Sequence, residues 1–207
     1  IMTRLLIIVA LGLCLVAGVV RGADNAADDL LERLTGIRQM QGNFLQRQYG
    51  RDDTLLSESR GSFRLLRPGY FAWDIGSPDS QLIIADPTYL WHYDRDLETV
   101  TRRPVAGREE MSPLQVLGGD EDVLRDRFEV RTAGKGAFML TPAAGDPGFS
   151  QLTLRFEGNV VSAMEIVDKL DQRVHIDFEK VDTASPLQPE DFAFTPPEGV
   201  DLFYYDE

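Results

Sequence analysis

The stretch Ser62-Phe63-Arg64-Leu65-Leu66-Arg67-Pro68-Gly69-Tyr70-Phe71-Ala72-Trp73-Asp74-Ile75 carries the pattern that decides the fold. Large apolar side chains occupy positions 63, 65, 71, 73 and 75, and a Pro-Gly pair interrupts them. Alternation at period two puts one such row on a single face of a β-strand, and Pro-Gly offers a turn between two strands. Working outward, the alternation recurs at Tyr89, Trp91 and Tyr93, at Phe128 and Val130, at Leu152, Leu154 and Phe156, and at Val174, Ile176 and Phe178. Glu129, Arg155, His175, Asp177 and Glu179 fill the positions between them. Turn residues separate the runs, as at Gly76-Ser77-Pro78, Gly134-Lys135-Gly136 and Glu157-Gly158-Asn159. The spacing predicts a mainly β chain of about ten to eleven antiparallel strands.

One amphipathic helix precedes the strands. Ala27, Leu30, Leu31 and Leu34 fall at helical spacing, opposite Asp28, Asp29, Glu32 and Arg33, with Asp24 or Asn25 as cap and an end near Gly36 or Met40. A second short helix is expected from Ser112-Pro113 through Leu117, and Arg125 closes another. No linker or repeat divides the chain. A large sheet with one apolar face must curl, close or be covered. The expected architecture is a curved sheet with helices over its open side.

The first 22 residues read as a cleavable secretory leader. Thr3-Arg4 is a short basic start, residues 5–20 are apolar, and cleavage is expected after Gly22, leaving one domain over residues 23–207. Cys14 lies inside the apolar run behind Leu13, which is too large for the position before a lipidated cysteine. Cys14 therefore leaves with the leader, and the exported domain has no thiol, no disulfide and no cysteine ligand. Losing Arg4 and Arg21 leaves 19 basic against 34 acidic residues, a net charge of −15 compared with −13 for the whole chain. Such a surface argues against nucleic acid and anionic membranes and permits docking on basic protein.

Nothing in the pattern points to catalysis or to a cofactor. His92 and His175 are the two candidate bases, and no Gly-x-Ser-x-Gly turn presents a serine. His92 with Asp94, and His175 with Asp177, offer two metal ligands each, which is too few. No glycine-rich phosphate loop is present. Arg67 is the anomaly. If alternation survives Pro68-Gly69, Arg67 lies on the apolar side of the sheet and its donors need partners; if Pro68-Gly69 turns the chain, it sits at a strand end.

Seven segments in order resemble the LolA family of periplasmic lipoprotein carriers. Leu66-Arg67-Pro68-Gly69-Tyr70-Phe71-Ala72-Trp73 resembles its RP-x-x-F-x-W segment, Phe44-Leu45-Gln46 its first strand, and Leu90-Trp91-His92-Tyr93 its LW-x-Y strand. Ser112-Pro113-Leu114, Leu140-Thr141-Pro142, Asp171-Gln172-Arg173 and Phe194-Thr195-Pro196-Pro197-Glu198-Gly199-Val200 complete the series. Asp74 and the acidic residues 201–207 depart from it. The resemblance implies an unclosed antiparallel β-barrel under a lid of short helices, with an apolar cavity for acyl chains. It implies acylated lipoproteins as cargo, an ABC transporter of the LolCDE kind as donor, a LolB-like receptor as acceptor, the periplasm as location and a monomer. Arg67 then lies in the cavity and bonds lid backbone, Trp73 lines the cavity, and Phe71 stands at the mouth and meets partners. Phe63, Leu65, Trp91 and Leu34 complete the expected lining. Two other readings share the fold. A LolB-like acceptor is itself lipidated, which Leu13-Cys14 argues against; a lipid or lipoprotein sensor usually carries a second domain.

Overall fold

A computed structural model describes residues 23–105, 115–118, 121–143 and 148–205. The predicted leader, and Ser112-Pro113 at the start of the predicted second helix, lie outside the described residues. Helix α1 (Ala23–Gly36) opens the described chain. Its buried stripe is Ala26, Leu30, Leu31 and Leu34, so Ala26 rather than Ala27 heads the apolar face. The helix stops at Gly36, where the Ile37 amide donates to the Leu34 carbonyl.

Six strands follow as a meander: β1 (Gln39–Tyr49), β2 (Leu55–Leu66), β3 (Tyr70–Ser77), β4 (Gln81–Ala85), β5 (Tyr89–Asp94) and β6 (Thr99–Pro104). Helices α2 (Gln115–Gly118) and α3 (Glu121–Arg127) lead into a second meander. That meander is β7 (Phe128–Thr132), β8 (Ala137–Pro142), β9 (Phe149–Glu157), β10 (Val160–Asp168) and β11 (Arg173–Asp182). A short 3₁₀ turn (Pro189–Phe192) and β12 (Asp201–Tyr204) end the described chain. All strands join one sheet in the order β12-β6-β5-β4-β3-β2-β1-β11-β10-β9-β8-β7. Strand β1 bonds to β2 on one side and to β11 on the other, and so joins the two meanders. The barrel is unclosed, since β12 and β7 end the order without meeting.

Two details correct the expected strand pattern. The described sheet has twelve strands, because the acidic tail supplies β12. That strand runs parallel to β6, not antiparallel. Residues 183–200 cross the outside of the sheet before β12 begins, and a crossover brings a strand back in the same direction.

Register explains the core. Met40, Leu65, Phe71, Ala85 and Leu90 are consecutive cross-strand partners, and all five are buried. Phe63, Trp73, Ile83 and His92 form the next row. In the second meander Ile176, Met164, Leu154 and Phe138 form a matching row. These rows face α1, α2 and α3, whose Leu30, Leu34, Val116, Leu117 and Leu124 complete one buried cluster. A smaller cluster lies on the outer face, where Leu66, Ala72 and Ile84 are covered by Leu187 and Phe192 of the C-terminal segment.

Gly61 makes room for the inner layer. It pairs with Phe44 and with Ile75, next to a bulge in β2. A Cβ at this position would lie 1.9 Å from the Asp74 carbonyl oxygen and 2.8 Å from the Phe44 ring. Gly61→Ala therefore forces backbone and ring apart, and destabilisation of ~3 kcal/mol is expected, measured as a lowered urea midpoint. A midpoint equal to that of the wild type would show that the approach is not limiting.

Candidate functional site: a covered apolar trough

The inner face of β1–β5 is aromatic. Phe44 stacks on Trp73 with ring centroids 3.6 Å apart and planes 17° from parallel. Phe71 lies parallel to Trp73 at 5.9 Å, while Phe63 and Phe178 meet edge to face at 5.0 Å. Alternation along β2 and β3 aims Phe63, Leu65, Phe71 and Trp73 at one side, and α1 places Leu34 over them. The structure thus brings together four of the residues expected in the cavity and at its mouth, with Leu34 above them as the fifth.

Arg67 reconciles both readings of its position. Strand β2 ends at Leu66, β3 begins at Tyr70, and the chain turns at Arg67-Pro68-Gly69, where Gly69 has φ +79°. A positive φ suits glycine because it lacks a Cβ. The Arg67 amide still completes the ladder by donating to the Arg38 carbonyl at 2.8 Å. Its side chain nevertheless turns inward, and Nη2 donates a short hydrogen bond to the Leu117 carbonyl of α2. Burial pulls its pKa down to about 10, so the guanidinium remains charged at neutral pH in surroundings that disfavour the charge.

The three helices are held differently. The Arg33 guanidinium of α1 donates to the Gly158 carbonyl at 2.9 Å and lies over Phe138 and Phe156. Asp28 of α1 accepts from Arg125 of α3 at 2.8 Å. Helix α2 rests on β2 and β3 through buried Val116 and Leu117, with the Arg67 bond on the Leu117 carbonyl. Beside this turn a cleft of about 680 Å³ opens, lined by Ile37, Leu66, Tyr70, Val160 and Leu187 with Arg38 and Arg67 at its polar edge.

Two expected assignments change. Trp91 is not in the trough. It pairs with Ile84 on the outer face, 5.5 Å from Phe194 and under the Arg102 guanidinium. Its neighbour Leu90 faces inward instead. Alternation alone misplaces this strand because the C-terminal segment makes its outer side apolar too. Phe71, expected at the mouth, is buried in this arrangement. Phe44 is the main residue that the expected site lacks. Its signal was the even-numbered row Met40, Gly42 and Phe44, which β1 turns inward.

His92 lies at the edge of the inner face, with Nε2 3.2 Å from the Gln81 side-chain oxygen. His175 lies on the outer face 3.1 Å from Asp177. Among the described residues no three His, Cys, Asp or Glu side chains gather as a metal site, and no helix is long and apolar enough to cross a membrane.

A curved wall with an apolar concave face under a helical cover defines a lidded half-barrel, a container class of fold. The family model "Outer membrane lipoprotein carrier protein LolA" matches residues 35–195. Relatives named "Outer-membrane lipoprotein carrier protein" are similar along nearly their whole length. The one from Dechloromonas aromatica is 34% identical over 86% of this chain and 87% of its own, and that from Alkalilimnicola ehrlichii 33% over 96% and 94%. In fold, the chain is similar to an uncharacterised conserved protein from Thermus thermophilus, with a TM-score of 0.52 and 12% identity, covering 86% of this chain and 99% of the other. It is also similar to a LolA superfamily protein from Nitrosomonas europaea, with a TM-score of 0.51 and 13% identity over 82% and 98%. The chain belongs to the LolA family.

His92 provides a pH readout of the edge of the trough. Burial lowers its pKa, Asp94 opposes this, and Arg103 adds to it. Below its ordinary value near 6.5 the unfolded chain binds the proton more readily than the folded one, so stability present at neutral pH is lost as pH falls. Comparison of denaturant midpoints between pH 7 and pH 5 should show a shallower decline for His92→Gln than for the wild type. Equal slopes would remove His92 from this role.

Proposed function

We propose that this chain is a periplasmic lipoprotein carrier. It accepts acylated lipoproteins released from the inner membrane, shields their acyl chains against the concave face, and delivers them to an outer-membrane receptor. The observation that carries the reading is the Arg67 side chain reaching from the β2–β3 turn to the Leu117 carbonyl of α2, which covers the apolar trough. Family membership supports it from a separate direction. In this scheme residues 1–22 direct export, and residues 23–207 form the carrier domain. A LolCDE-like ABC transporter loads the carrier and a LolB-like receptor unloads it. Any ATP requirement at loading belongs to the transporter.

The energetics require a device for release. Burying one CH₂ is worth ~0.8 kcal/mol, so long acyl chains could bind with tens of kcal/mol. The trough is filled here by its own side chains and by the helices. Cargo must displace α2, and with it the bond between Arg67 and Leu117. Breaking that bond lowers the net affinity; re-forming it helps to drive cargo out. Lifting α2 also uncovers Phe71, which would then be free to meet a partner.

A hydrogen bond to a charged group contributes about 1.5–3 kcal/mol, enough for tenfold or more in a rate. Arg67→Leu keeps the apolar contact and removes the bond. The variant should release lipoprotein from spheroplasts into solution as the wild type does, yet pass it to the acceptor at least tenfold more slowly. Transfer at the wild-type rate would sink the role of Arg67. Failure of the wild-type chain to solubilise lipoprotein, with transporter and ATP present, would sink the carrier reading itself.

A further inference from the structure

The cleft beside the β2–β3 turn belongs neither to the trough nor to its cover. Leu66 and Tyr70 are cross-strand partners on the outer face, where Leu187 joins them, so the cleft opens away from the aromatic rows. Its volume of about 680 Å³ falls in the range of ligand sites. Its walls are tied to one another by hydrogen bonds. The Gln39 side chain donates to the Ser185 carbonyl at 2.8 Å and accepts from the Leu187 amide at 3.1 Å, which holds the C-terminal segment against β1. The Arg67 amide, bonded to the Arg38 carbonyl, fixes the start of β1 beside the turn. Arg33 holds the β9–β10 hairpin, with Asn159 and Val160, to α1. A site tied in this way is formed before any ligand arrives.

Charge in the cleft runs against that of the chain. The chain carries −13, yet among the described residues the lining holds Arg38 and Arg67 and no acid. Asp182, Glu190 and Asp191 flank the lining segment in sequence, but none of them lines the cleft. Asp182 accepts the Ala184 and Ser185 amides, and Asp191 accepts the Gln188 amide. Arg67 commits Nη2 to the Leu117 carbonyl. The Arg38 side chain is exposed and makes no ion pair or hydrogen bond with a described residue. Two like charges beside apolar walls attract an anion, and the low dielectric of the walls strengthens the attraction.

The polar groups discriminate among anions. The Tyr70 hydroxyl and the Asn159 and Thr183 side chains make no hydrogen bond with a described residue either. They interrupt the apolar surface of Leu66, Leu187 and the cleft's prolines. A continuous acyl chain laid there would strip water from these groups and offer them no partner. A peptide alternates apolar side chains with amides that do. We propose that the cleft is a docking site for a short segment of a partner protein that carries glutamate or aspartate among apolar residues. A carboxylate of the segment pairs with Arg38, and the Arg67 charge adds to its attraction. The segment's backbone meets Asn159 and Thr183, and its apolar side chains lie on Leu66, Tyr70 and Leu187. This proposal does not depend on the carrier reading.

The test uses the protein labelled with ¹⁵N and the capped peptide acetyl-Leu-Glu-Leu-Glu-Leu-amide as probe. Titration should shift the amide signals of Ile37, Arg38, Leu187 and Gln188 most. The peptide with glutamine in place of glutamate should bind at least about tenfold more weakly. Arg38→Glu should weaken binding of the acidic peptide by at least about tenfold, whereas Arg38→Lys should stay within about threefold of the wild type. The backbone carbonyl of Arg38, not its side chain, bonds to the turn, so both variants keep the fold. Equal binding of the glutamine peptide, undiminished binding by Arg38→Glu, or shifts centred on the trough would overturn the proposal. So would dodecanoate shifting the same signals at lower concentration than the peptide. Dimerisation of the protein, or its cosedimentation with phosphatidylglycerol vesicles, would also overturn it if Arg38→Glu abolished either. Lipoprotein release from spheroplasts is a separate readout, so the two readings can fail independently.

Discussion

Two meanders of ordinary size become one curved wall because β1 is shared between β2 and β11. That shared strand sets the constraint on which everything else depends. A sheet this wide, apolar along one face, cannot leave that face in water and does not close on itself, so something must cover the trough. The helices meet this need with leucine, valine and alanine aimed at the aromatic rows of the sheet. The rows align because partner faces partner across the ladders from β5 to β1 and from β11 to β8, with bulges taken up beside the rows. A one-residue slip in β2 would turn Phe63 and Leu65 outward and empty the trough of its lining.

Within that frame the cover is not uniformly fastened. Helix α1 is tied to a hairpin by Arg33 and to α3 by the Asp28–Arg125 pair. Helix α2 is short, and among the described residues it rests on Val116, Leu117 and the Arg67 bond. Arg67 itself is costly to place there, as its depressed pKa records. A leucine would fill similar space without that cost. The arginine makes sense where a bond must break and re-form, since a directional bond offers a discrete alternative to oily contact.

Much of this was legible in the sequence. Alternation at positions 63 to 75 located β2 and β3, and the spacing of Leu30 and Leu34 located α1. The Pro68-Gly69 turn was legible too. What alternation could not decide was where Arg67 pointed, because a residue in a turn belongs to neither face by parity. The family resemblance supplied that direction. Trp91 was misread for a related reason: period two identifies a face, but not which face is inside, when both sides of a strand are covered. Its outer cover comes from Phe194, more than ninety residues further along the chain. No local window contains that information. Strand β12 was hidden in the same way, since an acidic, aromatic tail has no partner until the crossover brings it to β6.

That crossover has a mechanical meaning. The chain leaves β11, passes over the convex side of β3, β4 and β5, and is sewn down again at β6. A tendon on the convex side of a bent plate tightens when the plate curls further and slackens when it flattens. Residues 183–200 thus set an upper limit on curvature while leaving the opposite motion free. The wall can spread to admit bulk on its hollow side, but it is checked from rolling into a closed tube.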